Sequence, residues 1–359
     1  MIKQSNLKSF ADIAVEHRVV NTPLFDRVNI IVDWQEILKV ISKYYQKGQS
    51  VDGRESYNPL ILFKMLLLQT WYGLSDESVE ENVRDRISFS KFCCIAMDQE
   101  VPDSTVLCRF RTALNKYNAF DELLKTINQR MEDADLMVIK GVIIDASVTP
   151  TPRKPRGKKE FDIVAEDRKE DEHQLNTETI TSTKLVHIIK PNVDQEGAWI
   201  KKAGKLHYGY KQHVISNQEG FILGIHTTAA NESDVKNLAS TLDSVKLKPS
   251  TPVYADKGYA SQENDNVLIK KRLKNRILYK AVKNKPLTEI EKQINKKISQ
   301  TRYKIERTFG SIKRWFKVSG ARYVGKAKTH SQHLLQAICY NLYRLPIVEA
   351  KSPKVRKVQ

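Results

Sequence analysis

Cysteine is scarce and poorly placed for structural work. There are four, with Cys93 and Cys94 adjacent and Cys108 and Cys339 alone, so no Cys-x2-Cys pair holds zinc and no disulfide framework can be read. Reduced thiols in a cytosolic protein are the expectation. Long hydrophobic runs are also missing. The greasiest stretch, residues 60–68, is interrupted by Lys64 and is far shorter than the roughly 18–20 apolar residues of a membrane helix, which excludes a membrane protein. The first ten residues contain no apolar core of signal-peptide length, so export is not expected. No Gly-x4-Gly-Lys-Ser/Thr loop occurs, and nucleoside triphosphate hydrolysis is not expected either. Acid is in short supply: 42 Asp and Glu face 60 Lys and Arg, a net charge of +18. The 359 residues are 40% hydrophobic, which suits roughly two globular domains whose surface seeks a polyanion.

The charge is unevenly divided. Residues 1–135 carry a net −3 and the remaining 224 carry +21. Residues 270–285 hold eight basic side chains and no acid, and residues 301–328 hold nine basic side chains and one acid, Glu306. The polyanion-seeking surface is therefore assigned to the C-terminal two-thirds, and the isolated Glu306 asks for an explanation.

Residues 1–135 read as helices. Apolar residues recur at three- and four-residue spacing over 30–45 and 59–71, with Asn58 as N-cap and Pro59 at the first helical position. Asp76 opens a polar helix through Arg86. Asp103 caps another that turns Val106, Leu107, Phe110 and Leu114 inward and leaves Arg109 and Arg111 elsewhere. The arrangement resembles a DNA-contacting helix-turn-helix and equally an ordinary helical bundle with solvated arginines.

From Leu136 the pattern changes to a β-branched run ending at Asp145, a strand buried on both faces. Residues 151–195 are polar and read as a mobile insertion. Strands over 208–214 and 221–228 form a hairpin through Gly220; a helix over 234–247, a strand over 251–255 ending in Asp256, and a helix from Ser261 follow. Two long helices, 288–318 and 330–345, come next. The order implies an α/β layer with a mixed sheet flanked by helices. Three parts are expected: an all-α region over 1–135, an α/β region over 136–346, and a basic tail over 347–359.

Two strands ending in aspartate place Asp145 and Asp256 at the sheet edge where ligands gather in open α/β folds. Each also suits the commoner duty of capping a turn. Around Glu306 a stripe of Ile298, Ile305, Phe309, Ile312 and Phe316 docks the helix. Arg302, Glu306 and Lys313 share one face beside it, where Arg302 and Glu306 also fit an ordinary exposed i, i+4 ion pair. Two carboxylates at strand ends and one on a helix are a hard oxygen set for two Mg²⁺ or Mn²⁺ ions, which suits in-line phosphoryl displacement.

Asp145, Asp256 and Glu306, with the last in an Arg302-x3-Glu306-x6-Lys313 frame, resemble the DDE transposases of small bacterial insertion sequences. The likeness extends through Lys202-Ala-Gly-Lys205, Tyr208-Gly-Tyr-Lys211, Ala255-Asp256-Lys-Gly-Tyr259, Asn284-Lys-Pro-Leu-Thr288, Ile305-Glu306-Arg-Thr-Phe-Gly310, Ala321-Arg-Tyr323, Asn341-Leu-Tyr343 and the block Pro102-Asp-Ser-Thr-Val-Leu-Cys-Arg-Phe-Arg111. One position departs: the tyrosine often found three residues before the arginine is Ser299 here. The resemblance implies a ribonuclease-H-like catalytic domain behind a helical end-recognition and assembly domain. It also implies double-stranded DNA partners, the element ends and the target. Water frees a 3′-hydroxyl at the element end, and that hydroxyl then attacks target DNA. Arg302 and Lys313 would contact phosphates, with Lys205, Lys211, Arg314, Arg109 and Arg111 as further DNA contacts. Trp315 suits either a base stack or the core. A homodimer or larger synaptic assembly in the bacterial cytoplasm, at the nucleoid, is implied as well.

Two rivals follow from the same residues: a metal-dependent nuclease that cuts without joining, and a DNA-binding regulator derived from such an enzyme. His330-x2-His333 has metal-compatible spacing but no third ligand. His207 and His213 flank the Tyr208-Gly-Tyr-Lys211 segment and suit either a phosphate contact or, more commonly, an ordinary surface position. Glycosidases also use paired carboxylates, but the surrounding bases favour a phosphodiester over a neutral sugar.

Overall fold

Most N-terminal helices begin where a polar side chain or proline can satisfy or remove free N–H groups. The computed structural model describes residues 22–46, 56–156, 161–166, 182–187, 192–281, 286–316 and 320–349. Helix α1, Pro23–Ile31, is followed by α2, Trp34–Tyr44. The single helix expected over 30–45 is thus broken, because Asp33 turns its carboxylate onto the N–H groups of Gln35 and Glu36 and starts a new helix. Helix α3, Pro59–Tyr72, starts under the Asn58 cap and stops at Gly73, whose φ of 67° is left-handed. It is buried almost all round; even Lys64 is inside, its ammonium 4.4 Å from the Trp34 ring centre. Helices α4, Asp76–Asp85, α5, Ile87–Cys93, α6, Ser104–Lys116, and α7, Ala119–Asp133, complete this part.

Strand β1, Val142–Pro150, begins after Gly141 and runs past Asp145. The strand expected to end at Asp145 continues because the long β5, Lys205–Asn217, pairs antiparallel with its whole length, from Val142 opposite Asn217 to Pro150 opposite Gly209. Gly209 has φ 152°, and a Cβ there would lie 2.4 Å from the Thr149 carbonyl oxygen, so the close approach of the two strands requires glycine. The polar stretch read as a mobile insertion contains β2, Phe161–Glu166, and β3, Ser182–His187, paired antiparallel as a separate ribbon. Its far end is anchored by fully buried Asp194, which accepts from the Tyr210 hydroxyl at 2.6 Å and the Gly325 N–H at 3.2 Å.

Strands β4, Ala198–Lys202, and β6, Ile222–Ala229, share one edge of β5. The helix expected over 234–247 is a 3-10 turn followed by the short α8, Leu238–Asp243. Strand β7, Pro252–Ala255, α9, Gln262–Lys270, and β8, Lys274–Ile277, come next. Beyond β5 the sheet runs β1, β7, β8, with β1, β7 and β8 parallel and β5 antiparallel to β1. This is the mixed sheet the sequence order implies. Helix α10, Glu289–Trp315, opens with a capping box between Thr288 and Glu291 and packs on β1 and β7. Helix α11, Lys326–Glu349, packs on β6 and α7 and also on α1 and α3. One continuous core therefore joins the helical part to the sheet. Among the described residues no helix is long and apolar enough to cross a membrane. Most of the basic tail lies outside the described residues.

Candidate active site

Parallel pairing between β1 and β7 sets Val142 opposite Val253 and Ile143 opposite Tyr254. Continued two residues further, that register brings Asp145 level with Asp256, just where the two strands part. Asp256 leaves β7 and accepts the N–H of Lys257 at 2.7 Å, capping a 3-10 turn. The turn-capping and site-forming roles are thus filled by one carboxylate.

Arg302 reaches both acids from α10. Its guanidinium lies 3.8 Å from an Asp145 oxygen and 3.4 Å from an Asp256 oxygen, and its Nε is buried without a hydrogen-bond partner. The alternative of an ordinary Arg302–Glu306 pair gives way to this cross-element contact, and Glu306 is exposed one turn further along the helix. Burial pushes the Asp145 carboxyl above the usual carboxylate range, against the Ala146 N–H and the charges of Arg302 and Lys202. Lys202 was not singled out as a site residue from sequence; its place in the Lys202-Ala-Gly-Lys205 motif was the available signal.

The donor set fits a hard divalent cation: two carboxylates already bracket one positive charge, and the oxygens are of the kind such ions take. Among the described residues no three His, Cys, Asp or Glu side chains are grouped closely enough to hold a metal ion. Glu306 is therefore not grouped with the two aspartates, and Arg302 is the positive charge that contacts both.

The expected DNA contacts separate into two groups. Lys205, at the β4–β5 turn, Arg109 and Arg314 are exposed. Lys211 is not free: its ammonium is buried, 2.8 Å from Asp234 and 2.7 Å from the Glu232 carbonyl. Arg111 is likewise engaged, 2.6 Å from Asp76 and 4.7 Å from the Tyr323 ring centre. Both replace an expected DNA contact by a strut, because each sits where burial demands a counter-ion. Trp315 stacks on Tyr340 with ring centres 5.7 Å apart and lies tilted against Tyr343 at 4.9 Å, which is the core alternative. For Lys313 the helical backbone alone is described, in the last turn of α10.

His330, His333 and His213 are engaged inside the fold. Both ring nitrogens of His333 meet threonine hydroxyls, Thr149 and Thr227, at 2.9 Å, and His330 faces Thr227 and Asp121. His213, expected at the surface, is fully buried between Thr228 and Tyr259. Several motifs of the resemblance prove to be joints. Asn341 donates to Asn128 and the Ile222 carbonyl and accepts the Ile222 N–H. Ala321 donates to the Pro150 carbonyl, and Arg322 donates to that of Leu74.

Comparison with known proteins gives the chain's family. A family model described as a transposase DDE domain matches residues 137–342, and one described as a transposase domain matches residues 14–113. The transposase for insertion sequence element IS1106 of Neisseria meningitidis serogroup B is 35% identical over 238 residues, covering 66% of this chain and 76% of that protein. No solved structure matches the chain.

Proposed function

Because the chain belongs to the DDE transposases, enzymes acting on DNA with a ribonuclease-H-like domain, we propose that Asp145, Asp256 and Glu306 are its catalytic acids. In this reading the protein cuts DNA at insertion-element ends and joins the freed 3′ ends to target DNA. One observation carries it: Asp145 and Asp256, 111 positions apart in the chain, share the Arg302 guanidinium.

The family uses divalent metal ions; two Mg²⁺ or Mn²⁺ ions are proposed here. Bound, such ions supply the Lewis acid that activates an attacking oxygen and steadies a leaving one. Asp145 and Asp256 would hold them from the sheet, and Glu306 would complete the set from the next turn of α10, since helical side chains lean over the turn before their own. Arg302, once relieved of the two aspartates, presents a fork of N–H donors suited to a phosphate. Exposed Lys205 and Arg314, with Arg109 on α6 and Lys313 beside Arg314, would position the DNA backbone, which fixes orientation without reading sequence. Joining two element ends requires them to be held together, so a homodimer or larger assembly is part of the proposal.

Purified protein given Mg²⁺, element-end DNA and a plasmid target tests it by sequencing of the junctions. Asp145→Asn, Asp256→Asn and Glu306→Gln are each expected to abolish cut and joined products while DNA binding persists. Glu289→Gln, at the exposed start of the same helix, should retain activity. Full strand transfer by any one of the three acid variants would sink the assignment.

A further inference from the structure

Between the open β8 edge of the sheet and α10 lies a groove of about 1010 Å³. That is the upper end of the roughly 300–1,000 Å³ typical of small-molecule pockets. It leads away from the acids. Ala260 and Ser261, just after the Asp256 turn, and Thr301, just before Arg302, line one end. Tyr254 lines it too, on the same face of β7 as Asp256 because side chains alternate along a strand. Three cations, Arg276, Lys280 and Lys297, face one acid, Asp265, which is engaged by the Asn275 amide at 2.7 Å.

Tyr279 is the distinctive element of this wall. Its side chain is 45% exposed, yet its backbone is clamped: its N–H donates to the Asn295 side-chain oxygen at 2.9 Å and its carbonyl accepts from the Asn295 amide at 3.1 Å. An aromatic ring half in water on a clamped backbone is an available stacking surface whose main chain has little freedom left to lose on binding. Duplex DNA covers its base faces with neighbouring bases, so such a ring serves an unpaired base; cations alongside it serve the phosphates.

We propose that this groove holds a single DNA strand leaving the scissile position, with one base stacked on Tyr279 and its phosphates against Arg276, Lys280 and Lys297. The proposal rests on the assignment of Asp145 and Asp256 as catalytic.

The test uses the full chain in EDTA, where nothing is cut and activity cannot enter the readout. The probes are a blunt duplex and the same duplex with a single-stranded oligo-dT tail carrying one 2-aminopurine. The protein is expected to prefer the tailed duplex and to quench the 2-aminopurine. Tyr279→Ala should abolish the quench and weaken tailed binding about 5- to 150-fold, the factor corresponding to about 1–3 kcal/mol of base stacking, with blunt binding unchanged. Tyr279→Phe should keep both. Lys297→Ala should weaken tailed binding and flatten its salt dependence. Equal tailed binding by Tyr279→Ala and Tyr279→Phe would overturn the proposal, as would equal loss on blunt duplex, which would mean the groove holds a double strand. Failure of the catalytic reading shows separately, as strand transfer by Asp145→Asn.

Discussion

Among the described residues Arg302 pairs its charge with the two aspartates alone, and the contacts are long, 3.8 and 3.4 Å. Its side chain is 11% exposed against 24% for Asp145 and 44% for Asp256, so the guanidinium is the most desolvated member of the trio. Removing it leaves Asp145 buried with less compensation. Arg302→Ala is therefore expected to lower stability in EDTA by about 1–3 kcal/mol, the buried-pair figure reduced for the solvent at Asp256. Added Mn²⁺ should restore more stability to the variant than it adds to the wild type, because the ion no longer competes with a resident cation. Thermal melting with and without Mn²⁺ measures both, and an equal Mn²⁺ effect on the two proteins would show that Arg302 and the metal do not share a place. At this scale the sequence disclosed which residues matter better than whom they touch. Arg302 and Glu306 have the i, i+4 spacing of an ion pair, but the partly desolvated Asp145, with Asp256 beside it across the helix–sheet contact, is a stronger partner for an arginine than an exposed carboxylate.

Among the elements, α11 shows how a helix can be joined to a sheet by neutral histidine. Burial, with the His330 charge adding to it, pushes His333 down to about 3, and burial pushes His213 down to about 4. Both folded values lie below the ordinary imidazole value of about 6.5. Their contribution to stability is thus full above about pH 6.5 and is lost as pH falls through the window down to 3–4, where the unfolded chain takes up protons that the folded one refuses. Urea unfolding at pH 7.5, 6.0 and 5.0 should show stability falling below pH 6.5 by up to about 1.4 kcal/mol per pH unit for each histidine. His333→Gln should make that slope shallower, and an unchanged slope would remove His333 as its source. The element order was legible from periodicity and caps: Asn58 and Asp103 cap the helices they precede. What was not legible were the lengths set by partners. Strand β1 outruns Asp145 because β5 pairs with all of it, and the β2–β3 ribbon arises from a polar stretch whose composition alone says nothing about backbone pairing.

For the whole molecule, charge division and core division do not coincide. The helical part carries −3 and the rest +21, yet one core runs through both. The Trp71 indole donates to the Cys339 carbonyl at 2.9 Å and Arg111 ties α6 to Tyr323, so the seam between regions is packed, and a count of charges could not reveal it. The basic surface that remains available is narrower than the sequence total, because some cations are already paired inside. This distinction has a measurable consequence in salt. Each phosphate neutralised by a protein cation contributes about −0.9 to the slope of log K against log salt on duplex DNA. Lys205→Ala and Arg314→Ala, at exposed positions, should each reduce that slope by about 0.9 while weakening binding evenly across sequences. Lys211→Met should leave the slope unchanged, since its ammonium lies on Asp234, and should show its effect in stability instead. Fluorescence anisotropy with one duplex over a series of KCl concentrations separates the two kinds of lysine. A reduced slope for Lys211→Met would mean that DNA draws this side chain away from Asp234, and the buried strut would then have to be counted as part of the DNA surface.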